Sequence, residues 1–173
     1  GDVGSGKTIV ALVACLNVIY SDFQAAFMAP TEILAKQHYN LAKKIFSSSI
    51  NIKILTGKTK SNERKIILNE LSSGKIDLLI GTHSLFQEKI KYHKLGLIVI
   101  DEQHKFGVKQ RKKLSDKAGN NCDVLVMSAT PIPRTMIMTI YGDMDVSVIK
   151  SKPKNRKEIK TYSKNEKNIN QVI

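Results

Sequence analysis

The first eight residues, Gly1-Asp2-Val3-Gly4-Ser5-Gly6-Lys7-Thr8, satisfy the pattern G-x-x-x-x-G-K-[ST] at every fixed position and run directly into an apolar stretch that begins Thr8-Ile9-Val10. No other feature narrows the possible folds so far. The glycines let the backbone curl until successive N–H groups converge on phosphate oxygens, and the dipole of the helix that follows adds positive potential. On this reading all eight residues cradle a nucleotide, Lys7 bridges its β- and γ-phosphates, and Thr8 ligates Mg²⁺. A glycine-rich turn ahead of a helix is the plainer alternative, but four fixed positions of restricted type seldom coincide by chance in a short chain. Such a loop joins a strand to a helix, so a feeding strand is expected ahead of Gly1, and the sheet is expected to be truncated at that first strand.

The rest of the chain fits a loop of this kind. Short β-rich runs at Gln24–Ala29, Asn51–Thr56, Asp77–Gly81, Gly96–Ile100, Asp123–Met127 and Asp145–Ile149 alternate with helical patterns at Lys7–Tyr20, Ile33–Ser47, Asn62–Leu71, Lys109–Lys117 and Arg134–Tyr141. Alternation predicts βαβ units, and continuously apolar runs such as Leu78-Leu79-Ile80 and Leu97-Ile98-Val99-Ile100 predict strands covered on both faces. The expected class is therefore α/β, a mostly parallel, doubly wound sheet with helices on both faces. That domain is expected to span residues 1–149. After it, Lys150-Ser151-Lys152-Pro153-Lys154-Asn155-Arg156-Lys157 contains no large apolar residue and reads as a linker over 150–157, and residues 158–173 read as the opening strand and helix of a second domain.

Two further segments bear chemistry beside the expected nucleotide. Asp101 and Glu102 follow the apolar run Leu97–Ile100, at the carboxyl end of a parallel strand where ligand crevices open. There Asp101 is placed to hold Mg²⁺, and Glu102 to orient and deprotonate an attacking water. Ser128-Ala129-Thr130-Pro131 follows another apolar strand; its hydroxyls either relay the state of the γ-phosphate or cap the next helix, and the two roles are compatible.

Composition limits the remaining classes. With 28 Lys+Arg against 15 Asp+Glu, a formal charge of +13, the chain suits a polyanionic partner through counterion release, or else carries a Lys-rich solvated surface. No apolar run reaches the ~18 residues of a membrane helix and no signal-peptide pattern opens the chain, so a cytoplasmic protein without a membrane partner is expected. Cys15 and Cys122 stand apart from any CxxC or Cys/His cluster and are expected to be structural free thiols. A GTPase is disfavoured, since no N-K-x-D base-reading motif occurs.

Gly1–Thr8, Asp101-Glu102-Gln103-His104 and Ser128-Ala129-Thr130 resemble motifs I, II and III of superfamily 2 helicases, in the right order. Met28-Ala29-Pro30-Thr31-Glu32-Ile33-Leu34-Ala35-Lys36-Gln37-His38, Gly81-Thr82-His83-Ser84-Leu85-Phe86-Gln87, Lys105-Phe106-Gly107-Val108-Lys109-Gln110-Arg111 and Pro131-Ile132-Pro133-Arg134-Thr135 narrow the resemblance to the RecG-like branch-migrating DNA helicases. Transcription-repair coupling translocases share nearly all of these segments but usually carry Glu where this chain has Gln103.

The resemblance implies a RecA-like fold, ATP with Mg²⁺, and branched DNA, meaning stalled forks and junctions in recombination and repair, as partner; chemistry alone leaves RNA open. It implies that Lys7, Asp101, Glu102, Gln103 and His104 form the hydrolytic set, with His104 coupling the nucleotide to Ser128, Ala129 and Thr130. Thr31, Thr56, Gly57, Lys58, Thr82 and His83 acquire DNA-contact roles by the same resemblance, and their hydroxyls, small turn and cation suit phosphate oxygens. Taken singly, Thr31 also fits a helix cap and His83 a structural histidine. Arg111 and Arg134 either bind DNA or brace a second motor domain. The basic run Lys105 to Lys117 is a solvated face or a DNA contact. Nothing in the residues marks His38 or His93 as functional. A wedge domain and a second RecA-like domain, which such motors need, are not in the chain, so it is expected to be a monomeric fragment that is inactive alone.

Overall fold

A computed structural model of the chain describes residues 1–87, 90–102, 122–129 and 145–150. Within them the chain runs α1 (Lys7–Ile19), β1 (Gln24–Met28), α2 (Glu32–Ile45), β2 (Ile52–Leu55), α3 (Ser61–Ser72), β3 (Leu78–Gly81), a 3₁₀ turn at His83–Phe86, β4 (Leu95–Asp101) and β5 (Asp123–Met127). The five strands form one sheet in the order β2-β3-β1-β4-β5, and every neighbouring pair is parallel.

Parallel pairing needs a crossover after each strand, and side chains two apart along a strand share a face. Ala25, Phe27, Leu78, Ile80, Leu97 and Val99 accordingly join Ala11, Leu12 and Cys15 of α1 and Ala35 and Ala42 of α2 in one core. The alternate residues Ala26, Met28, Leu79, Ile98 and Ile100 pack with Ile67 and Leu71 of α3 and with Leu85 in a second core. Helical cover on both sides explains why the strand sequences are apolar without alternation.

Two polar devices hold the ends of the sheet. At the amino end, buried Gln24 donates through Nε2 to the carbonyls of Leu71 (3.0 Å) and Ile76 (2.7 Å), while its Oε1 accepts from the backbone N–H of His93 (2.7 Å) and Lys94 (3.1 Å). One amide thereby ties β1, the end of α3 and the approach to β4. At the carboxyl end, Gly81 pairs with both Met28 and Leu55, and a Cβ there would stand 2.0 Å from the Leu55 carbonyl oxygen, so only glycine lets the strands close up.

Both cysteines are free; Cys15 is buried and Cys122 half-buried. The expected strand at Asp145–Ile149 does not form: residues 145–150 carry no regular structure, and Val146 and Val148 are exposed. Alternating valines have strand propensity but form a strand only when a ladder partner is taken up, and none of the described strands pairs with residues 145–150. Ile149 instead lies against Gly1, where a Cβ added to the glycine would sit 3.0 Å from it. The expected helices at Lys109–Lys117 and Arg134–Tyr141, and residues 151–173, lie outside the described residues.

Candidate nucleotide and nucleic-acid site

The glycine-rich loop reaches α1 through two left-handed residues, Gly4 (φ 77°) and Gly6 (φ 92°). Gly6 occupies the helix N-cap with no side chain capping the first turn, and a Cβ built on it would meet nothing within 4 Å. A helix N-terminus open to approach, carrying no acid in its first turn, is the arrangement that receives a phosphate. Beside it the Ser5 hydroxyl is buried with no hydrogen-bond partner, the cost of which a ligand oxygen would remove. The Lys7 ammonium donates to the carbonyls of Gly1 (2.6 Å) and Asp2 (2.8 Å), two of its three donors.

The sheet brings the other two motif segments to this loop. Asp101 pairs in register with Met127, the N–H of Glu102 donates to the Met127 carbonyl at 3.0 Å, and the nitrogen of Gly1 donates to the carbonyl of Ser128 at 3.4 Å. The loop, the Asp101-Glu102 pair and Ser128-Ala129 thus meet at the carboxyl edge of β4 and β5. Glu102 has φ 50°, a left-handed conformation uncommon for a residue with a long side chain and costing of order 1 kcal/mol.

Asp101 is itself buried, and its Oδ2 lies 2.9 Å from Nε2 of His38. A carboxylate only accepts, so Nε2–H donates. The His38 ring in turn lies 4.7 Å from the Phe27 ring, centroid to centroid. In the sequence His38 reads as an ordinary helix residue. The signal that would have found it is its place on the buried face of α2 with Ala35 and Ala42, where a polar ring needs a partner.

A second concavity of about 400 Å³ opens at the carboxyl ends of β1, β2 and β3. Thr31, Gly57, Thr82 and His83, four of the residues assigned to nucleic acid, line it together. Thr31 also caps α2, its Oγ1 accepting from Leu34 N at 3.3 Å, so the capping role and the groove position coexist. Thr56 stands in the turn before the groove, with its Oγ1 accepting from Lys58 N. Lys58 reaches across to Glu32 (3.3 Å). The groove also contains Arg64, which the sequence did not single out; it projects from α3 and donates to Gln87 Oε1 at 2.8 Å. Gln103, His104, Arg111, Thr130 and Arg134 lie outside the described residues. Among the described residues there is no cluster of three or more His, Cys, Asp or Glu suited to a metal, and no helix long and apolar enough to cross a membrane.

Comparison with known proteins identifies the architecture. Residues 1–139 match the DEAD/DEAH box helicase family. The ATP-dependent DNA helicase RecG of Bacillus subtilis is 50% identical over 163 residues, 94% of this chain and 24% of the relative. RecG of Streptococcus pneumoniae is 49% identical over 173 residues, 100% of this chain and 26% of the relative, so the chain spans about a quarter of the length of these proteins. Among solved structures, RecG bound to a three-way DNA junction superimposes with a TM-score of 0.84 at 46% identity, over 99% of this chain and 23% of that one. Saccharomyces cerevisiae Dbp5, at 17% identity and a TM-score of 0.62 over 82% of this chain and 40% of that one, shares the RecA-like fold. The chain belongs to the DEAD/DEAH box helicase family, whose members bind nucleotide, and within it is RecG-like.

Proposed function

We propose that this chain is the nucleotide-binding half of an ATP-driven DNA motor that acts on branched DNA, at stalled forks and Holliday junctions, in recombination and repair in the cytoplasm. The observation that carries this reading is the likeness to RecG on a three-way junction over 99% of the chain. The phosphate loop and the Thr31–Thr82 groove, at the same carboxyl edge of one sheet, support it.

In this reading Gly1–Thr8 cradle the triphosphate, with Lys7 placed to neutralise charge on the β- and γ-phosphates. Thr8 and Asp101 would hold Mg²⁺; the buried, histidine-tethered carboxylate and the unpartnered Ser5 hydroxyl fit a site for a metal-bound triphosphate. That ion would supply charge neutralisation on the transferring phosphoryl group. Glu102 orients the attacking water and accepts its proton, and Gln103 and His104, with Ser128, Ala129 and Thr130, pass the outcome to the rest of the motor. Thr31, Thr56, Gly57, Lys58, Thr82 and His83 hold the DNA backbone, joined by Arg64. Arg111 and Arg134 contact DNA or the second motor domain. Residues 1–149 form this domain, 150–157 a linker and 158–173 the start of a second RecA-like domain; that domain and a wedge domain complete a monomeric motor. In this reading the second domain supplies the cationic clamp on the γ-phosphate, a contribution of ~10³ or more in rate.

Titration of the chain with ATP·Mg²⁺ and, separately, with fork DNA tests the assignment. Lys7→Ala is expected to weaken nucleotide binding at least tenfold and leave DNA affinity within twofold. Loss of DNA binding with nucleotide binding intact would show that the loop is misassigned. Full turnover by the chain unaided would show that a second domain's cationic clamp is not required.

A further inference from the structure

The imidazole of His38 ties the hydrolytic carboxylate to the helix that begins in the DNA groove. α2 starts at Glu32, directly after Pro30 and Thr31 in the groove wall, and His38 lies two turns along it, ~10 Å at 1.5 Å per residue. There its Nε2 holds Asp101 Oδ2 at 2.9 Å, with both side chains about nine-tenths buried. The pair links α2 to the end of β4 by a side-chain hydrogen bond, and the Phe27 ring of β1 backs the imidazole. Glu102, next in the chain, is fixed through its backbone to β5. Asp101 is therefore set by two clamps: the sheet holds its backbone, and α2 holds one of its carboxylate oxygens.

We propose that His38 is the positioning residue for Asp101 and the mechanical link by which the groove end of α2 reaches the metal-binding carboxylate. The proposal rests on the nucleotide-site reading above. Outer partners that orient a ligating carboxylate typically govern metal affinity by 10–100-fold. A packing role alone would change stability and leave metal affinity, and its response to DNA, untouched.

The test uses the 173-residue chain with Mn²⁺ and a non-hydrolysable ATP analogue, the bound metal followed by electron paramagnetic resonance, with and without saturating fork DNA. Two substitutions of similar length and good helix propensity separate the roles: His38→Gln keeps an N–H donor for Asp101, and His38→Met does not. Thermal melting identifies any variant that does not fold. His38→Met is expected to lower Mn²⁺ affinity about tenfold and to abolish the effect of DNA on nucleotide affinity, while DNA affinity without nucleotide stays within twofold. His38→Gln is expected to retain most of both. Should His38→Met fail to fold, His38→Leu replaces it in the same comparison. The double change His38→Met with Asp101→Asn is expected to bind Mn²⁺ no more weakly than Asp101→Asn alone. Equal Mn²⁺ affinities for the donor-keeping and donor-lacking variants, or additive losses in the double substitution, overturn the proposal. Absence of any metal-dependent nucleotide binding by the unsubstituted chain overturns the nucleotide-site reading itself, and the proposal with it.

Discussion

Burial between α1 and the sheet pushes the Cys15 thiol from 9.0 up to about 12, because a thiolate there would lose its hydration. Cys122, half-buried and next to the Asp123 carboxylate, is raised to about 11, mainly by burial. Between pH 9 and about 12 the folded chain keeps a proton on Cys15 that the unfolded chain releases, so this contribution to stability is complete below pH 9 and declines above it. Urea unfolding at pH 8 and pH 10 is expected to show a loss of about 1 kcal/mol attributable to Cys15, absent in Cys15→Ala. An equal loss in both proteins would contradict it. The two thiols were readable in the sequence as structural because no partner residue stands near either. His38 was not. Its partner Asp101 is 63 residues away, and only the pairing of β1 with β4 brings α2 over the end of β4.

At the scale of the element, apolar runs and helical periods were enough to place α1 to α3 and β1 to β5, because each buries a face whose pattern is local. The exception, Asp145–Ile149, shows the limit: its valines have strand propensity, but pairing is a property of the neighbour. Gln24 is the converse, a polar residue at the head of an apolar strand whose purpose is visible only in three dimensions. Its amide satisfies two carbonyls and two N–H groups from segments scattered between Leu71 and Lys94. Gln24→Leu is expected to cost about 3 kcal/mol in urea unfolding, since buried backbone groups lose their partner. A loss under 1 kcal/mol would mean that the clip is dispensable.

Across the whole molecule, the order β2-β3-β1-β4-β5 sets two sites side by side on one edge, the phosphate loop near β4 and β5 and the groove at β1, β2 and β3. The sequence motifs point to residues in both places but not to Arg64, which enters the groove from α3. Arg64 is held by Gln87 at the groove wall, and Lys58 is paired with Glu32. Arg64→Ala is therefore expected to weaken DNA binding at every sequence and to reduce the slope of log affinity against log salt by about 1. An unchanged slope would remove Arg64 from the interface.

If this sheet edge is the ATP site of a DNA motor, replacing the matching quarter of Bacillus subtilis RecG with this chain yields a graft whose ATP turnover can be measured on a three-way DNA junction. Junction-stimulated turnover is predicted for the graft, with a loss of at least about 100-fold on Lys7→Ala, since the phosphate lysine stabilises transition-state charge, and with junction binding retained. A folded graft that binds the junction but turns over no ATP, or one that turns over ATP equally well without Lys7, would contradict it.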